Sequence, residues 1–187
     1  MKNEILLSIL IPTYKRPNSL IKTVVSCITE NTNVEILVNS NCPQKELKFL
    51  ENFHFSLKYS NFDYNMGFSN NILYLLQKAS GKFSLFLSDE DYLDKTMLND
   101  FLKWLEINKD ISVGFCDILN QNGSSYFKSR NSNLTFNYIK YVTPYVHTYI
   151  SGYIINNRFF EKINPQKIFF NHQSNVYPHV VLKYHLL

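Results

Sequence analysis

Along the first two-thirds of the chain, short apolar runs alternate with segments whose apolar residues recur every three or four positions. Residues 5–11 are apolar almost without a break and read as a strand buried on both faces. Pro17 opens the next segment, in which Leu20, Ile21, Val24, Val25 and Ile28 fall at helical spacing up to Glu30. Residues 34–38 form a second short strand pattern, 44–52 a helix and 55–59 a third strand. Residues 69–78 carry Ile72, Leu73, Leu75 and Leu76 on one helical face, with Gly81 expected to close that helix. A fourth strand is expected over 83–87, a helix over 96–107 with Met97, Phe101, Leu102 and Leu105 turned inward, and a fifth strand over 111–115. This alternation predicts an α/β domain built on a mainly parallel sheet flanked by helices.

After about Asp117 the pattern weakens. Asn122-Gly123 between apolar residues predicts a hairpin. Residues 145–155 are rich in β-formers around Gly152, 158–163 suit a short helix, and 177–187 suit a helix with Pro178 in its first turn. That last helix has no stop signal, so it is expected either to dock on the core or to mark a protein that was once longer. No repeat or low-complexity linker divides the chain, and a single domain over 1–187 is expected, in two parts that meet near residue 117.

Composition narrows the class. The chain has 187 residues, 45% hydrophobic and 18% charged, which suits a domain with a proper core rather than a disordered segment. No run approaches 18 apolar residues, and residues 5–11 are too short for a signal-peptide core. Cys27, Cys42 and Cys116 are far apart, odd in number and without metal-site spacing, so a reducing, cytoplasmic setting is expected. The sequon Asn133-Leu134-Thr135 then has no consequence. The net charge of +4 permits anionic ligands or contact with an anionic membrane surface, while the lack of a basic run excludes nucleic acid as the expected partner.

The chemistry gathers at strand ends. In an open parallel sheet, ligands bind beyond the carboxyl ends of the strands, where strand order reverses. Pro12-Thr13-Tyr14-Lys15-Arg16 follows the first strand, Asn39-Ser40-Asn41 the second and Ser88-Asp89-Glu90-Asp91 the fourth. If those three strands are neighbours, the clusters converge on one crevice. Three consecutive carboxylates repel, so a positive group is expected among them. In an extended segment Asp89 and Asp91 would face one side, and two hard oxygen ligands there suit Mg2+ or Mn2+ completed by phosphate oxygens. The competing reading is a solvated turn in which Asp94 caps the next helix. Neither G-x-G-x-x-G nor G-x-x-x-x-G-K-[ST] occurs, which argues against a Rossmann or P-loop site.

The ordered set Ser8-Ile9-Leu10-Ile11-Pro12-Thr13-Tyr14 with Arg16, Glu35-Ile36-Leu37-Val38, Asn65-Met66-Gly67 with Asn71, Ala79-Ser80-Gly81-Lys82 and Leu87-Ser88-Asp89-Glu90-Asp91-Tyr92-Leu93 resembles family 2 glycosyltransferases of the GT-A fold. Ser151-Gly152 and Tyr177-Pro178-His179 resemble members that build bacterial surface polysaccharides. The resemblance implies transfer of a sugar, with inversion, from a nucleotide-diphospho-sugar donor to a glycan or lipid-linked acceptor, with peripheral contact at the inner face of the membrane. It implies that Pro12, Thr13 and Tyr14 line the base and ribose pocket, that Arg16 reaches the base or phosphates, and that Asn65, Gly67 and Asn71 shape the loop beside the nucleotide. Asp89 and Asp91 would hold the ribose and a Mg2+ or Mn2+ ion, Asp91 by direct contact. The part beyond residue 117 would face the acceptor.

Two departures stand out. Where the family carries an acidic residue after the second strand, this chain has Ser40 between Asn39 and Asn41, which exchanges a charge-assisted contact for a neutral one. Residues 170–174, where the acidic general base is sought, contain His172 and no carboxylate. His172 is the substitute base on this reading, with a structural histidine as the competing one. Two other functions compete: a relative that binds nucleotide-sugar without turnover, and a nucleotidyltransferase. The latter would ordinarily show a glycine- and lysine-bearing loop after the first strand, and PTYKRP has no glycine.

Overall fold

The structure is a computed structural model that describes residues 4–120, 122–127, 149–171 and 177–186. β1 (Leu7–Thr13) and β2 (Val34–Ser40) are buried along their whole length, as continuous apolar runs require of central strands. Between them α1 (Pro17–Cys27) starts on a proline, whose fixed φ suits the first turn, and buries Leu20, Thr23, Val24 and Cys27. β3 (Leu57–Asn61), α2 (Phe68–Lys78), β4 (Phe83–Phe86) and α3 (Lys95–Ile107) continue the alternation. The Asp94 carboxylate accepts from the Thr96 N–H at 2.9 Å and caps α3.

The six-stranded sheet has the order β3-β2-β1-β4-β8-β5, where β5 is Val113–Phe115 and β8 is Tyr153–Asn156. β3, β2, β1 and β4 are parallel, while β8 runs antiparallel between β4 and β5. Alternation along β1 separates two cores. Leu7, Ile9 and Ile11 pack in one cluster with Leu20 and Val24 of α1 and Leu98, Leu102 and Leu105 of α3. Leu10 packs in the other with Ile72, Leu75 and Leu76 of α2 and with Ile168 and Leu182 from the C-terminal helices. The sheet is thus a middle layer between two helical layers, which confirms the expected α/β class. Each fully buried Leu or Ile side chain contributes about 1.5–3 kcal/mol of transfer free energy.

Several expectations are corrected. The helix expected over 44–52 is present, as a 3-10 helix, Lys45–Asn52. Its buried side chains, Leu47 and Leu50, are three apart and eclipse at three residues per turn. Gly81 does not close α2, which ends at Lys78 with Ala79 already extended. Instead, a Cβ on Gly81 would lie 2.8 Å from both the backbone N and Oγ of Ser8, so glycine is required by the close approach of two backbones. The fifth strand is shorter than expected and meets β8, not β4. Of residues 145–155, only 153–155, the first three residues of β8, are strand within the described part.

β6 (Ile118–Leu119) and β7 (Ser125–Phe127) form the expected hairpin, with Gly123 at φ 78° and its N–H bonded to Asn120 O at 2.8 Å. The short helix α4 is Asn157–Phe160, and α6 (Pro178–Leu186) matches the expected final helix. α5 (Pro165–Asn171) is an additional helix that the sequence pattern does not predict; Ile168 and Phe169 are buried on it. His172 and the sequon at Asn133 lie outside the described residues. No helix among the described residues is long and apolar enough to cross a membrane.

Candidate active site

β2, β1 and β4 are adjacent, so the three polar clusters that follow them meet at one edge of the sheet. Sequence order reverses here: β2 lies on one side of β1 and β4 on the other, the arrangement that opens a crevice in α/β sheets. A cavity of about 410 Å³ fills the crevice. Pro12, Thr13, Tyr14 and Arg16 line it from β1, Asn41 from β2, Asn65, Gly67, Phe68 and Asn71 from the start of α2, Ser88 and Asp89 from β4, and Ile150 from the approach to β8. A second cavity, of about 460 Å³, lies among the end of α2, α4 and α5; its lining carries one carboxylate, Glu161, and no cation.

Asp89 anchors the floor. Its side chain is buried, Thr13 Oγ1 donates to Oδ2 at 2.6 Å, and Arg16 Nη1 lies 3.4 Å from Oδ1. The same Arg16 nitrogen is 2.7 Å from Glu90 Oε1. The positive group expected among the carboxylates is therefore Arg16, brought in from the β1 loop. Lys15 sits in the left-handed region at φ 57°, an uncommon conformation for a lysine, and Pro17 restricts Arg16 from the other side. Together they turn the guanidinium back over the acidic segment.

That segment is not extended. The Asp91 N–H donates to Ser88 O at 3.1 Å, so residues 88–91 form a turn, and the side-by-side placement expected from strand alternation does not apply. The two aspartates have different partners. Ser151 Oγ donates to Asp91 Oδ2 at 2.5 Å, and Tyr149 OH donates to Oδ1 at 3.4 Å. Ser151 Oγ in turn accepts the Ser88 N–H at 2.8 Å, which ties the β8 approach to the acidic turn twice. Asp91 is not among the residues that line the cavity.

The asparagines divide into wall and foundation. Asn41 donates to Asn65 Oδ1 at 2.7 Å and accepts the Met66 N–H at 2.9 Å, while Asn65 Oδ1 also accepts the Gly67 N–H at 2.9 Å. Gly67, at φ 86°, starts α2 in a conformation that favours glycine. Asn39 is fully buried below the cavity: it donates to Asn71 Oδ1 at 2.9 Å and accepts from Ser60 Oγ at 2.7 Å. Ser40 is buried too, donating to Cys42 O at 2.6 Å. Asn39 and Ser40 are not among the lining residues. Asn41, noted in the sequence only as a flank of Ser40, is the one that reaches the cavity. Ser151 had its signal in the Ser-Gly pair, since Gly152 adopts φ 82° beside Cys116, yet nothing local tied it to Asp91.

Remote from this end, Glu35 is buried near the start of β2. It accepts from Lys58 Nζ at 2.6 Å, Ser8 Oγ at 2.6 Å, and the N–H and Oγ of Ser80 at 2.7 and 2.8 Å. Burial alone would raise its pKa, but these donors outweigh burial and hold the carboxyl below its ordinary value. It clamps β1, β2, β3 and the α2–β4 turn together and takes no part in the crevice.

Residues 8–172 match the family described as "Glycosyl transferase family 2". Comparison with curated proteins gives no match. Among solved structures, S. aureus TarS 1-349 has a TM-score of 0.67 at 19% identity, covering 97% of this chain and 55% of that one. The same protein in complex with UDP-GlcNAc gives 0.64 at 20% identity, over 88% of this chain and 48% of that one. Mannosyltransferase PcManGT from Pyrobaculum calidifontis, in complex with GDP-Man and Mn2+, gives 0.58 at 12% identity, over 83% and 46%. The chain spans about half the length of these structures. At such identities the likeness speaks for the fold alone. The family match, however, extends over most of the chain, and with a parallel sheet whose crevice joins the β1, β2 and β4 ends it has one conclusion: the chain belongs to glycosyl transferase family 2 and has the GT-A fold.

Proposed function

We propose that the chain transfers a sugar from a nucleoside diphosphate donor to a hydroxyl of a glycan or lipid-linked acceptor, with inversion, in the making of surface polysaccharide. The observation that carries this reading is the joining of Thr13, Asp89 and Arg16 in the lining of a 410 Å³ crevice. Solved structures of similar fold hold UDP, UDP-GlcNAc and GDP-Man with Mn2+, which supports an activated sugar as the ligand class.

Pro12, Thr13 and Tyr14, with the Asn41–Asn65 wall, bind base and ribose in this reading, and Asn71 braces that wall through Asn39. Arg16 offers a cation to the diphosphate. Asp89 and Asp91 are the residues for Mg2+ or Mn2+. Their fit follows from the donor set: hard carboxylate oxygens, too few for an all-protein cage, since no group of three or more His, Cys, Asp or Glu among the described residues could hold a metal. Mg2+-type sites use one or two carboxylates and draw further ligands from phosphate and water. A bound ion supplies Lewis-acid stabilisation of the departing diphosphate. In the transfer, the acceptor oxygen forms a bond to the anomeric carbon, the bond to the diphosphate breaks, and the acceptor proton passes to a base. His172 is the proposed base, a role worth about 10²–10⁴-fold.

The test is incubation of the protein with UDP- and GDP-sugars, Mn2+ and a panel of glycan and lipid-linked acceptors, with products resolved by mass and anomeric configuration by NMR. Transfer with inversion supports the proposal. Donor binding with neither transfer nor donor hydrolysis would favour a binding module instead.

A further inference from the structure

Arg16 and a divalent cation have claims on the same carboxylate. Both oxygens of Asp89 are engaged: Thr13 holds Oδ2 at 2.6 Å and Arg16 holds Oδ1 at 3.4 Å. A metal ion that ligates Asp89 must therefore share the carboxylate with these partners, and beside Oδ1 it meets the positive charge of Arg16. Thr13 is buried within β1 and its contact is short. The Arg16 side chain is 52% exposed, its contact with Asp89 is long, and its firmer hold is on the exposed Glu90 at 2.7 Å. Arg16 is the partner that yields. Its placement is nevertheless built in, because the left-handed Lys15 and the following Pro17 fix the backbone that aims it.

We propose that Arg16 is a resident counter-ion of the acidic turn, exchanged for the divalent cation when the nucleotide arrives. This rests on the reading of the crevice as a nucleotide-sugar site. In the free protein Arg16 offsets the repulsion among Asp89, Glu90 and Asp91 and competes with the metal. A diphosphate in the crevice gives the guanidinium a bidentate anionic partner, which it prefers to a single oxygen. Releasing Arg16 from Asp89 then removes a like charge from beside Oδ1. Cation and nucleotide affinities are thereby coupled, and by linkage each strengthens the other by the same factor. Arg16 acts here as a positioning residue for ordered assembly of the site.

The experiment is calorimetric titration of wild type, Arg16→Gln and Lys15→Gln with Mn2+ alone, UDP alone, and Mn2+ in the presence of saturating UDP. Lys15 bears a neighbouring charge that lies over the Tyr14 ring, so its variant reports the general effect of removing a cation. Arg16→Gln is expected to bind Mn2+ alone about 2–5-fold more tightly than wild type, the range one exposed ion pair supports. By the same linkage it is expected to lose about the same 2–5-fold from the gain that UDP confers on Mn2+, while the part supplied by phosphate oxygens remains. Lys15→Gln should keep that gain. If wild type shows the coupling and Arg16→Gln binds Mn2+ alone no more tightly, or no more tightly than Lys15→Gln does, the exchange is overturned while the site reading stands. If wild type binds neither Mn2+ nor UDP, the site reading is overturned and the exchange with it.

Discussion

Ser151 donates a 2.5 Å hydrogen bond to Asp91 across 60 positions of sequence, and with the same oxygen accepts the Ser88 N–H. One hydroxyl thus fixes both ends of the acidic turn from the turn that leads into β8, a strand that runs the opposite way to β4. Ser151 itself is buried.

Ser151→Ala removes a donor to Asp91 and an acceptor for Ser88, and a polar group left unsatisfied costs about 1–3 kcal/mol. The expected outcome is a modest fall in stability and a disproportionate loss of the Mn2+-dependent part of UDP-sugar binding, measured by thermal shift with and without the ion. Equal losses with and without Mn2+ would assign Ser151 to structure alone.

Gly81→Ala places a Cβ 2.8 Å from the N and Oγ of Ser8 and 3.0 Å from Leu7 C. The backbone of β1 or of the turn before β4 must move, at a cost of about 1–3 kcal/mol. Urea denaturation should show a lower midpoint with an unchanged slope. A midpoint equal to wild type contradicts the close approach.

Much of this fold is legible in the sequence because its strands are buried on both faces. Residues 5–11 and 34–38 need no partner to be recognised as central strands, and the helices after them carry full apolar faces. The β1–β4 part of the order also follows once the polar clusters are required to meet. What lies past Asp117 is less legible for physical reasons. β8 is four residues long, buried throughout, and shows no alternation, so nothing local says that it enters between β4 and β5 in reverse. The site divides likewise. Thr13, Asp89 and Arg16 sit at strand ends and are visible from spacing. The removal of Asn39 and Ser40 from the cavity depends on which way each side chain turns at the β2 end. The Ser151 contact depends on tertiary pairing. The turn at the acidic segment is legible as the competing reading, since serine and aspartate favour turns, and the Ser88–Asp91 bond closes it while Asp94 caps α3.

Glu35→Gln keeps shape but turns an amide NH2 or a neutral oxygen toward Lys58. Glu35 has a folded pKa below its ordinary 4.5, so its charged form is favoured by folding. Its contribution is present above that ordinary value and lost as pH falls from there through the lowered folded value. Near neutral pH the variant should be less stable by about 1–3 kcal/mol. The difference should shrink as pH falls below the ordinary glutamate value, seen by denaturation at a series of pH values. A gap independent of pH contradicts the ionised clamp.

The thiols of Cys27 and Cys116 are each pushed up to about 12 by burial. Thiolate is the reactive form, so both should resist a thiol-directed reagent in the native protein at neutral pH. Cys42 and Cys116 are both partly exposed, whereas Cys27 is buried. Cys42 should label quickly, Cys116 more slowly because of its raised pKa, and Cys27 only after denaturation; fast labelling of Cys27 contradicts the packing around α1.

The most direct test of the central claim is the thermal midpoint of wild type and Asp91→Asn with UDP- and GDP-sugars, each with and without Mn2+. A ligand at a hundredfold its Kd should raise the midpoint of a domain this size by about 5–10 °C. In wild type the rise should be larger with Mn2+ than without; Asp91→Asn should keep the nucleotide part and lose the Mn2+-dependent part. An Mn2+-dependent rise undiminished in Asp91→Asn, or no response of wild type to any nucleotide-sugar, would contradict the site.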